Sequence, residues 1–385
     1  MPQPIPKKIL KNNPDLAVKS FNTMLVDGSN LLELSFHGDK RLSTDGKPIG
    51  GIFQFLLQLK LLLRKGDFRH VYVFWDGDNS GILRYNLLPS YKANRDKNYE
   101  GVSEDENLSD YAKAVEAKIQ GMYRYFKKKQ DPQKAKEKEI FHWQREIVME
   151  CLEELFVRQC LCDKVEADDF VGYYVTHKKK EERIVIVSND RDLTQLIDED
   201  VIVYMPLLKK FINTKNHTEE IGYHYSNVLV KKMICGDSSD NIKGIKGVGE
   251  TTLFKNISDF KARTVSLEEV IETCTKINEE RVKTKKKPLQ WASNIVNRIT
   301  DGEQGDKIYE INRKIIDLKH PLMTDEAVEM IDGLMYAPLD PEGRSMENLY
   351  KILLKHKIDD LRDDKHFSNF FTEFMNLIDH ERKNK

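Results

Sequence analysis

The sequence is poor in cysteine and has no excess of charge of either sign. Its 385 residues include five cysteines, none of them in a C-x-x-C pair or at a zinc-ligand spacing from a histidine. An odd, scattered set of cysteines is typical of reduced thiols, and it argues against a disulfide framework. The 62 basic and 63 acidic residues nearly cancel. Net charge therefore neither favours nor excludes a nucleic-acid partner.

Long apolar stretches are also missing. No apolar run reaches the length of a membrane span, and the N-terminus lacks the apolar core of a signal peptide. We therefore expect a cytoplasmic protein without a membrane partner, which acts as a monomer.

The chain does contain short apolar segments that end in acidic residues. Predicted strands at 21–26, 70–75 and 184–187 deliver Asp27, Asp76 and Asp190, and a fourth strand is predicted at 201–205. Helices are predicted at 52–63, 141–159 and 170–177. Strands that alternate with helices predict an α/β fold with a mostly parallel sheet flanked by helices. Functional sites in such sheets lie beyond the carboxyl ends of the strands, which favours one shared acidic site.

Three acidic clusters, at 165–169, 188–192 and 236–241, carry the chemistry. Oxygen ligands of this kind suit Mg²⁺, with Mn²⁺ as a substitute, and two ions about 4 Å apart can activate water and stabilise a leaving oxygen. For the first cluster alone, an equally good interpretation is a group of helix-capping acids. The combination of clusters favours metal binding, although not every acid need be a ligand. The candidate ligands are Asp27, Asp76, Glu166, Asp168, Asp169, Asp190, Asp192, Asp237 and Asp240.

Glycines at 244, 247 and 249 predict a tight hairpin between two helices. Gly244, Gly247 and Gly249 would let backbone amides approach a phosphate, and Lys243 and Lys246 would add positive charge. The pattern resembles the helix-hairpin-helix motif, which binds the DNA backbone without sequence preference. The alternative is an ordinary glycine-rich connector between helices.

Basic and aromatic residues follow the Asp76 strand. Arg84, Lys92 and Arg95 could hold a phosphate beside the metal site, and Tyr91 could stack on an unpaired base. Without the neighbouring acids, these side chains would be interpreted as solvated surface. The polar stretch 96–140, which includes an aromatic and basic segment at 122–129, predicts either a flexible insertion or a functional lid.

Together these motifs resemble the 5′-nuclease superfamily of flap endonucleases and 5′→3′ exonucleases, and its phage members most of all. The matching segments occur in the order of the family and span residues 20 to 255. They are Val-Asp-Gly-Ser at 26–29, Trp-Asp-Gly at 75–77, Tyr-Lys-Ala-Asn-Arg at 91–95, Glu-Ala-Asp-Asp at 166–169, Ser-Asn-Asp-Arg-Asp at 188–192, Gly-Asp-Ser-Ser-Asp-Asn at 236–241 and the glycine hairpin. One departure is Arg191, where the family often has glycine between the paired aspartates.

The resemblance implies a role for each candidate residue. Asp27, Asp76, Asp168 and Asp190 would hold the first Mg²⁺ with Glu166 beside them, while Asp192, Asp240 and Asp237 would hold the second. Lys92 and Arg95 would steady the scissile phosphate, acting with Asp168 and Asp190 as the catalytic set. The hairpin would bind duplex DNA, and in related proteins it also holds a K⁺ ion.

The resemblance also implies a domain plan. We expect an N-terminal extension at 1–19 and a PIN-like catalytic domain at 20–235, with a helical arch inserted at 91–140. A helix-hairpin-helix segment at 236–260 and a helical C-terminal lobe at 261–385 would follow. No role is assigned to residues of that lobe.

The expected activity is hydrolysis of phosphodiester bonds near the 5′ end of branched, flapped or nicked DNA and RNA–DNA duplexes. This includes ribonuclease H-like primer removal in replication, in the host cytoplasm if the chain is phage-encoded. A single-strand-binding protein or a sliding clamp would be a protein partner. The alternatives are a PIN-type endoribonuclease, a non-catalytic DNA-binding protein of the same fold and a metal-dependent phosphatase.

Overall fold

The computed structural model describes residues 18–93, 132–300, 303–304, 306–340, 342–361 and 364–383. The predicted extension at 1–19 and the predicted arch at 91–140 therefore fall largely outside the described residues, and so does Arg95. None of the described helices is long and apolar enough to cross a membrane.

The strands are short and rich in β-branched residues. They are β1 (Thr23–Asp27), β2 (His70–Trp75), β3 (Arg158–Leu161), β4 (Ile184–Val187), β5 (Val201–Met205), β6 (Lys210–Ile212), β7 (Gly236–Asp237), β8 (Ile242–Lys243), β9 (Ile299–Thr300) and β10 (Glu303–Gln304).

The helices alternate with the strands in the first part of the chain and dominate the second part. They are α1 (Gly28–Gly38), α2 (Gly50–Leu63), α3 (Ile82–Leu87), α4 (Pro132–Glu154), α5 (Ala167–His177), α6 (His217–Ile221), α7 (Val228–Cys235), α8 (Glu250–Asn256), α9 (Leu267–Lys283), α10 (Gln290–Val296), α11 (Asp306–Ile316), α12 (Asp325–Leu334), α13 (Met346–Lys355), α14 (Asp364–Phe371) and α15 (Met375–Lys383). Short 3₁₀ turns, including one at Arg191–Leu196, connect some of them.

Within the described part of the chain, the central sheet has the strand order β3-β2-β1-β4-β5-β6. Neighbouring strands from β3 to β5 are parallel, and β6 pairs antiparallel with β5. All residues of β1, β4 and β5 are buried, which is characteristic of parallel strands covered on both faces. The predicted α/β fold is confirmed.

Helices cover both faces of the sheet. Helices α1, α2 and α4 pack on one face, together with residues of α13 to α15. Helices α5 and α12 pack on the other face. The end of the chain therefore contributes to the same hydrophobic core as the strands that carry the acidic residues.

One predicted element is wrong at its end. The helix predicted at 141–159 ends at Glu154, and Arg158–Leu161 forms strand β3 beside β2. Phe156 has a φ of 60°, a left-handed conformation that stops a helix without any glycine or proline in the sequence. Because the turn uses an apolar residue, the sequence pattern continues across it and conceals the boundary.

The glycine segment joins two helices, as the sequence predicts. Strands β7 and β8 pair antiparallel between α7 and α8. A Cβ atom on Gly244 would lie 2.2 Å from the backbone carbon of Cys235, and Gly247 has a φ of 74°. The hairpin therefore requires glycine at both positions. Its helices share a third hydrophobic cluster with α9 and α10.

Candidate metal centre

The sheet topology brings the strand-end aspartates together. Strand β1, which ends at Asp27, lies between β2, which precedes Asp76, and β4, which precedes Asp190. Because these three strands are parallel neighbours, their carboxyl ends meet at one edge of the sheet. The sequence prediction that the three aspartates share a site agrees with this placement.

Local hydrogen bonds hold each strand-end carboxylate in place. Asp27 accepts hydrogen bonds from the backbone amide of Asn30 and the hydroxyl of Ser188, both at 3.0 Å. Asp76 accepts one from the amide of Ala167 at 2.8 Å, at the start of α5. Asp27 is thus an N-cap for α1, and Asp76 is fixed against the helix that carries the next acids.

The strand-end carboxylates have little positive charge to balance them. Burial, the charge of Asp76 and, to a lesser extent, that of Asp190 raise the pKa of Asp27 to about 7. Burial also raises the pKa of Asp76, and the charge of Glu166 adds to this effect. Such shifts are expected where carboxylates gather without a bound cation.

Asp190 lies at the rim of this pocket. Burial and the charge of Asp192 raise the pKa of Asp190 to about 6. The residue as a whole is nevertheless exposed. Water therefore reaches the carboxylate and screens part of this repulsion.

The start of α5 supplies a group of three acids, Glu166, Asp168 and Asp169, whose ligand atoms lie within 4.8 Å of one another. Within this group Asp168 has a buried Oδ1 atom without a hydrogen-bond partner. Burial raises its pKa well above the usual value, although Arg84 opposes the shift. An orphaned buried carboxylate oxygen in a pocket of further oxygens fits a ligand to a divalent cation.

Asp169 is engaged differently from Asp168. Its two oxygens accept hydrogen bonds from the guanidinium group of Arg84 at 2.6 and 3.0 Å. Oδ1 also accepts a hydrogen bond from the backbone amide of Leu322 at 3.0 Å. This bidentate ion pair leaves Asp169 a structural partner of Arg84. The geometry thus offers Asp169 less opportunity than Asp168 to bind a metal.

Arg84 and Tyr91 lie under the carboxylates and away from solvent. Arg84 is 3% exposed and also contacts Glu166 at 2.7 Å. Tyr91 is 2% exposed, and its hydroxyl lies 3.2 Å from Glu166 and 3.4 Å from Asp240. The sequence predicts both as nucleic-acid contacts, but their burial leaves no face for a phosphate or a base. Both residues instead organise the acids.

Lys92 is placed as a phosphate-binding residue should be. Its ammonium group donates to Glu166 at 2.6 Å, and its side chain keeps 21% exposure. Burial alone would raise the pKa of Glu166, but Arg84 and then Lys92 lower it. Glu166 is therefore ionised at neutral pH, and Lys92 lies at the boundary between the carboxylates and solvent.

A second acidic group comes from Asp192, Asp237 and Asp240, whose ligand atoms also lie within 4.8 Å of one another. The backbone amide of Lys92 donates to the carbonyl of Asp240 at 2.8 Å. The hydroxyl of Tyr91 lies within hydrogen-bond distance of both groups, so the two groups adjoin. Arg191, between the paired aspartates of its segment, is exposed.

Lys232 also belongs to the second acidic group, although no sequence motif includes it. This residue of α7 is 8% exposed, and its ammonium group contacts both Asp192 and Asp237. A lysine among apolar residues in a short helix, five positions before Asp237, is the signal that could have identified it. A cation already lies between these carboxylates, which shows that the second group accepts positive charge.

The hairpin residues have a different environment. Lys243, Lys246, Gly247 and Gly249 are exposed, and Gly244 is half-buried against α7. Lys243 follows Asp240 closely in the chain, so the hairpin lies next to the second acidic group. Basic side chains and bare backbone are thus exposed together beside the carboxylates.

Comparisons with known proteins agree with this geometry. The family model described as "5′-3′ exonuclease, N-terminal resolvase-like domain" matches residues 22–225. A 5′-3′ exonuclease of Bacillus subtilis (strain 168) is 27% identical over 340 residues, which cover 85% of this chain and 96% of that protein.

Two solved structures share the fold. The T5 D15 protein co-crystallized with metal ions has a TM-score of 0.54 at 18% identity, covering 87% of this chain and 98% of that one. A bacteriophage T5 flap endonuclease in a complex with DNA and metal ions has a TM-score of 0.51 at 17% identity, covering 87% and 99%.

Proposed function

Because the chain belongs to the 5′-3′ exonuclease family and is a 5′ nuclease by that membership, we propose that two Mg²⁺ ions bind in its acidic pocket. The substrates would be 5′ flaps, 5′ overhangs and RNA–DNA primers during replication. The observation that supports this proposal is the meeting of carboxylates from the ends of β1, β2 and β4, the start of α5 and the turn after β7 in two adjoining groups. One of their oxygens, Oδ1 of Asp168, is buried without a hydrogen-bond partner.

The residues divide into two sets of ligands. Asp27, Asp76, Asp168 and Asp190 would hold the first ion, with Glu166 beside them. Asp192, Asp237 and Asp240 would hold the second. When bound, a pair of such ions activates water and stabilises the charge on the leaving oxygen.

Other side chains orient the substrate. Lys92 would donate to the scissile phosphate while it stays paired with Glu166, and its partial exposure beside that carboxylate supports this role. The exposed hairpin with Lys243 and Lys246 would bind backbone phosphates of the duplex. Because both contacts are electrostatic, we expect binding to weaken steeply with salt and to show no sequence preference.

The deciding experiment uses a duplex with a 5′-labelled flap, made of either DNA or RNA, incubated with Mg²⁺ or with EDTA. We expect cleavage near the junction only with Mg²⁺, and no cleavage by the Asp168→Asn, Asp190→Asn double variant. Asp163→Asn is the matched control, because Asp163 is exposed on the connection that leads to α5.

Three results would contradict the proposal. Full activity of the double variant would show that Asp168 and Asp190 do not belong to the active site. Preferred cleavage of unstructured RNA would indicate an endoribonuclease, and release of free phosphate from end-labelled DNA would indicate a phosphatase.

A further inference from the structure

Lys232 is a buried cation inside the second acidic group. Its ammonium group lies 2.5 Å from Oδ2 of Asp237 and also contacts Oδ1 of Asp192. The side chain of Lys232 is 10% exposed. It therefore occupies the space between two of the three carboxylates that would hold the second ion.

The two acidic groups differ in how their charge is balanced. In the first group, Oδ1 of Asp168 is buried without a hydrogen-bond donor, and the guanidinium group of Arg84 lies 3.9 Å away from it. Arg84 and Lys92 pair instead with other carboxylates of that group. In the second group, the ammonium group of Lys232 directly contacts two of the three proposed ligands.

We propose that Lys232 is a tethered cation that neutralises the second acidic group, so that a divalent ion binds there only in competition with its ammonium group. The inference rests on the proposed two-ion function, which it deepens by assigning the regulation of the second site to one residue.

The geometry makes this competition physically reasonable. A divalent ion between Asp192 and Asp237 would lie within a few ångströms of the ammonium group, where like charges repel strongly in a partly desolvated site. The lysine side chain has a flexible four-carbon stem, so its charged end can move aside while α7 stays in place. The second ion would therefore bind more weakly than the first and enter later.

The test is a calorimetric titration of the metal-free full-length protein with Mn²⁺. Lys232→Met keeps the length of the side chain and removes its charge. We expect the second dissociation constant to fall by about tenfold or more once the nearby like charge is gone, while the first stays within about twofold. Lys232→Arg keeps the charge, and we expect its second ion to bind as weakly as in the wild type.

Lys231→Met is the matched control. Lys231 is the next residue of the same helix and is equally buried, but its ammonium group pairs with Glu250 at 2.7 Å. This variant loses the same net charge one position away. If it tightened the second site as much as Lys232→Met, a general charge effect would replace the proposed competition.

Thermal denaturation provides a second measurement. We expect Lys232→Met to have a lower midpoint than the wild type in EDTA, because Asp192 and Asp237 then repel each other, and to gain more stability from Mn²⁺. Should the variant be unfolded in EDTA, recovery of its circular dichroism by Mn²⁺, but not by NaCl of equal ionic strength, is the expected result. Failure to recover would contradict the proposal.

The outcomes separate this inference from the proposed function. A Lys232→Met protein that still binds fewer than two ions, with the competing charge gone, would overturn the two-ion site itself. A wild-type protein that binds two ions, with an unchanged second constant in Lys232→Met, would overturn only the role of Lys232.

Discussion

Arg84 shows how much the pocket depends on single buried charges. Its guanidinium group contacts both Asp169 and Glu166, and it also donates to the backbone carbonyl of Ile315 at 3.1 Å. Since the residue is buried, no water can replace these contacts. Its removal would leave carboxylates buried without a counter-charge.

We expect Arg84→Met to lower the free energy of unfolding by about 3–5 kcal/mol, the usual cost of breaking a buried ion pair from one side. Arg263→Met is the control, because Arg263 pairs with Asp259 and Glu269 on the surface with a side chain 53% exposed, and solvent screens such pairs so that their loss changes stability far less. Urea denaturation measures both. Equal losses of unfolding free energy in the two variants would show that the buried ion pairs of Arg84 contribute no more to stability than a surface pair.

Asp27 should make the metal-free protein sensitive to pH. Its pKa is raised from 3.8 to about 7 by folding, so in this window the folded protein holds a proton that the unfolded chain releases. Asp27 therefore contributes fully to the free energy of unfolding below its pKa in the unfolded chain. This contribution is lost as the pH rises through its pKa in the folded protein.

We therefore expect the thermal midpoint in EDTA to fall between about pH 4 and about pH 7, and Asp27→Asn to reduce this slope. Asparagine keeps an oxygen that can accept the amide hydrogen of Asn30. Thermal scans across this range provide the measurement. An unchanged slope in the variant would place the titrating group elsewhere.

At the scale of elements, the end of α11 and the residues that follow it form hydrogen bonds with the metal centre and its neighbours. Gln195 donates to the carbonyl of Ile316 and accepts the amide of Leu318, both at 3.0 Å. The amide of Leu322 binds Asp169. Residues 315–322 thus connect the C-terminal helices to the parts of the chain that carry the acids.

Gln195→Ala should detach this segment from the turn that contains Asp192. We expect a loss of about 1–3 kcal/mol in unfolding free energy from the unsatisfied backbone groups, together with faster hydrogen exchange at the amide of Leu318. Exchange measured by NMR would test this. Unchanged protection of Leu318 would show that packing alone holds the segment.

The hairpin glycines allow stability to be separated from binding. Nothing lies within 4 Å of a Cβ atom added to Gly249, whereas one on Gly244 meets the backbone of Cys235. We expect Gly249→Ala to change stability by less than about 0.5 kcal/mol yet to weaken binding of duplex DNA, because a methyl group would obstruct the approach of a phosphate to the backbone.

Gly244→Ala, in contrast, should cost about 1–3 kcal/mol through overpacking. Thermal denaturation and fluorescence anisotropy with a labelled duplex would measure the two effects. Normal DNA binding by Gly249→Ala would support the alternative that the hairpin only connects two helices.

The sequence predicts four strands of the central sheet but not β3. Strands β1, β2, β4 and β5 are confirmed because each is a short, buried apolar run. Strand β3 was missed because an apolar residue, Phe156, makes the turn before it. The bounds of the predicted domains stay predictions.

Individual site residues were harder to predict wherever distant contacts decide burial. Arg84 resembles a surface cation in the sequence, and only its pairing with Asp169, 85 positions away, buries it. Lys232 also resembles a surface cation in the sequence, and its contact with Asp192, 40 positions earlier, becomes visible only in the fold. Local pattern locates the acids, but it does not show which of them already have a partner.

At the scale of the whole molecule, bound ions should stabilise the fold as well as act in catalysis. The acids come from segments that span residues 27 to 240, so an ion between them links parts of the chain that are far apart in the sequence. A ligand that binds only the folded state adds about 2.7 kcal/mol per site at one hundred times its dissociation constant.

We therefore expect the thermal midpoint to rise with Mn²⁺ in the wild type and in Asp163→Asn, and to rise much less in Asp168→Asn. Differential scanning calorimetry in EDTA and in Mn²⁺ would show this. An equal rise in all three proteins would place the ions outside the proposed centre.

The contacts made by residues 315–322 also bear on protein synthesis. A ribosome that has extruded only the first three hundred residues carries a chain with every acid of the pocket but without the backbone groups of residues 315–322 that bind Arg84, Gln195 and Asp169. Such a nascent chain should be unable to cut nucleic acid while it is still tethered. Arrested chains of increasing length, assayed for cleavage of a flapped duplex, should become active only after residue 322 leaves the exit tunnel.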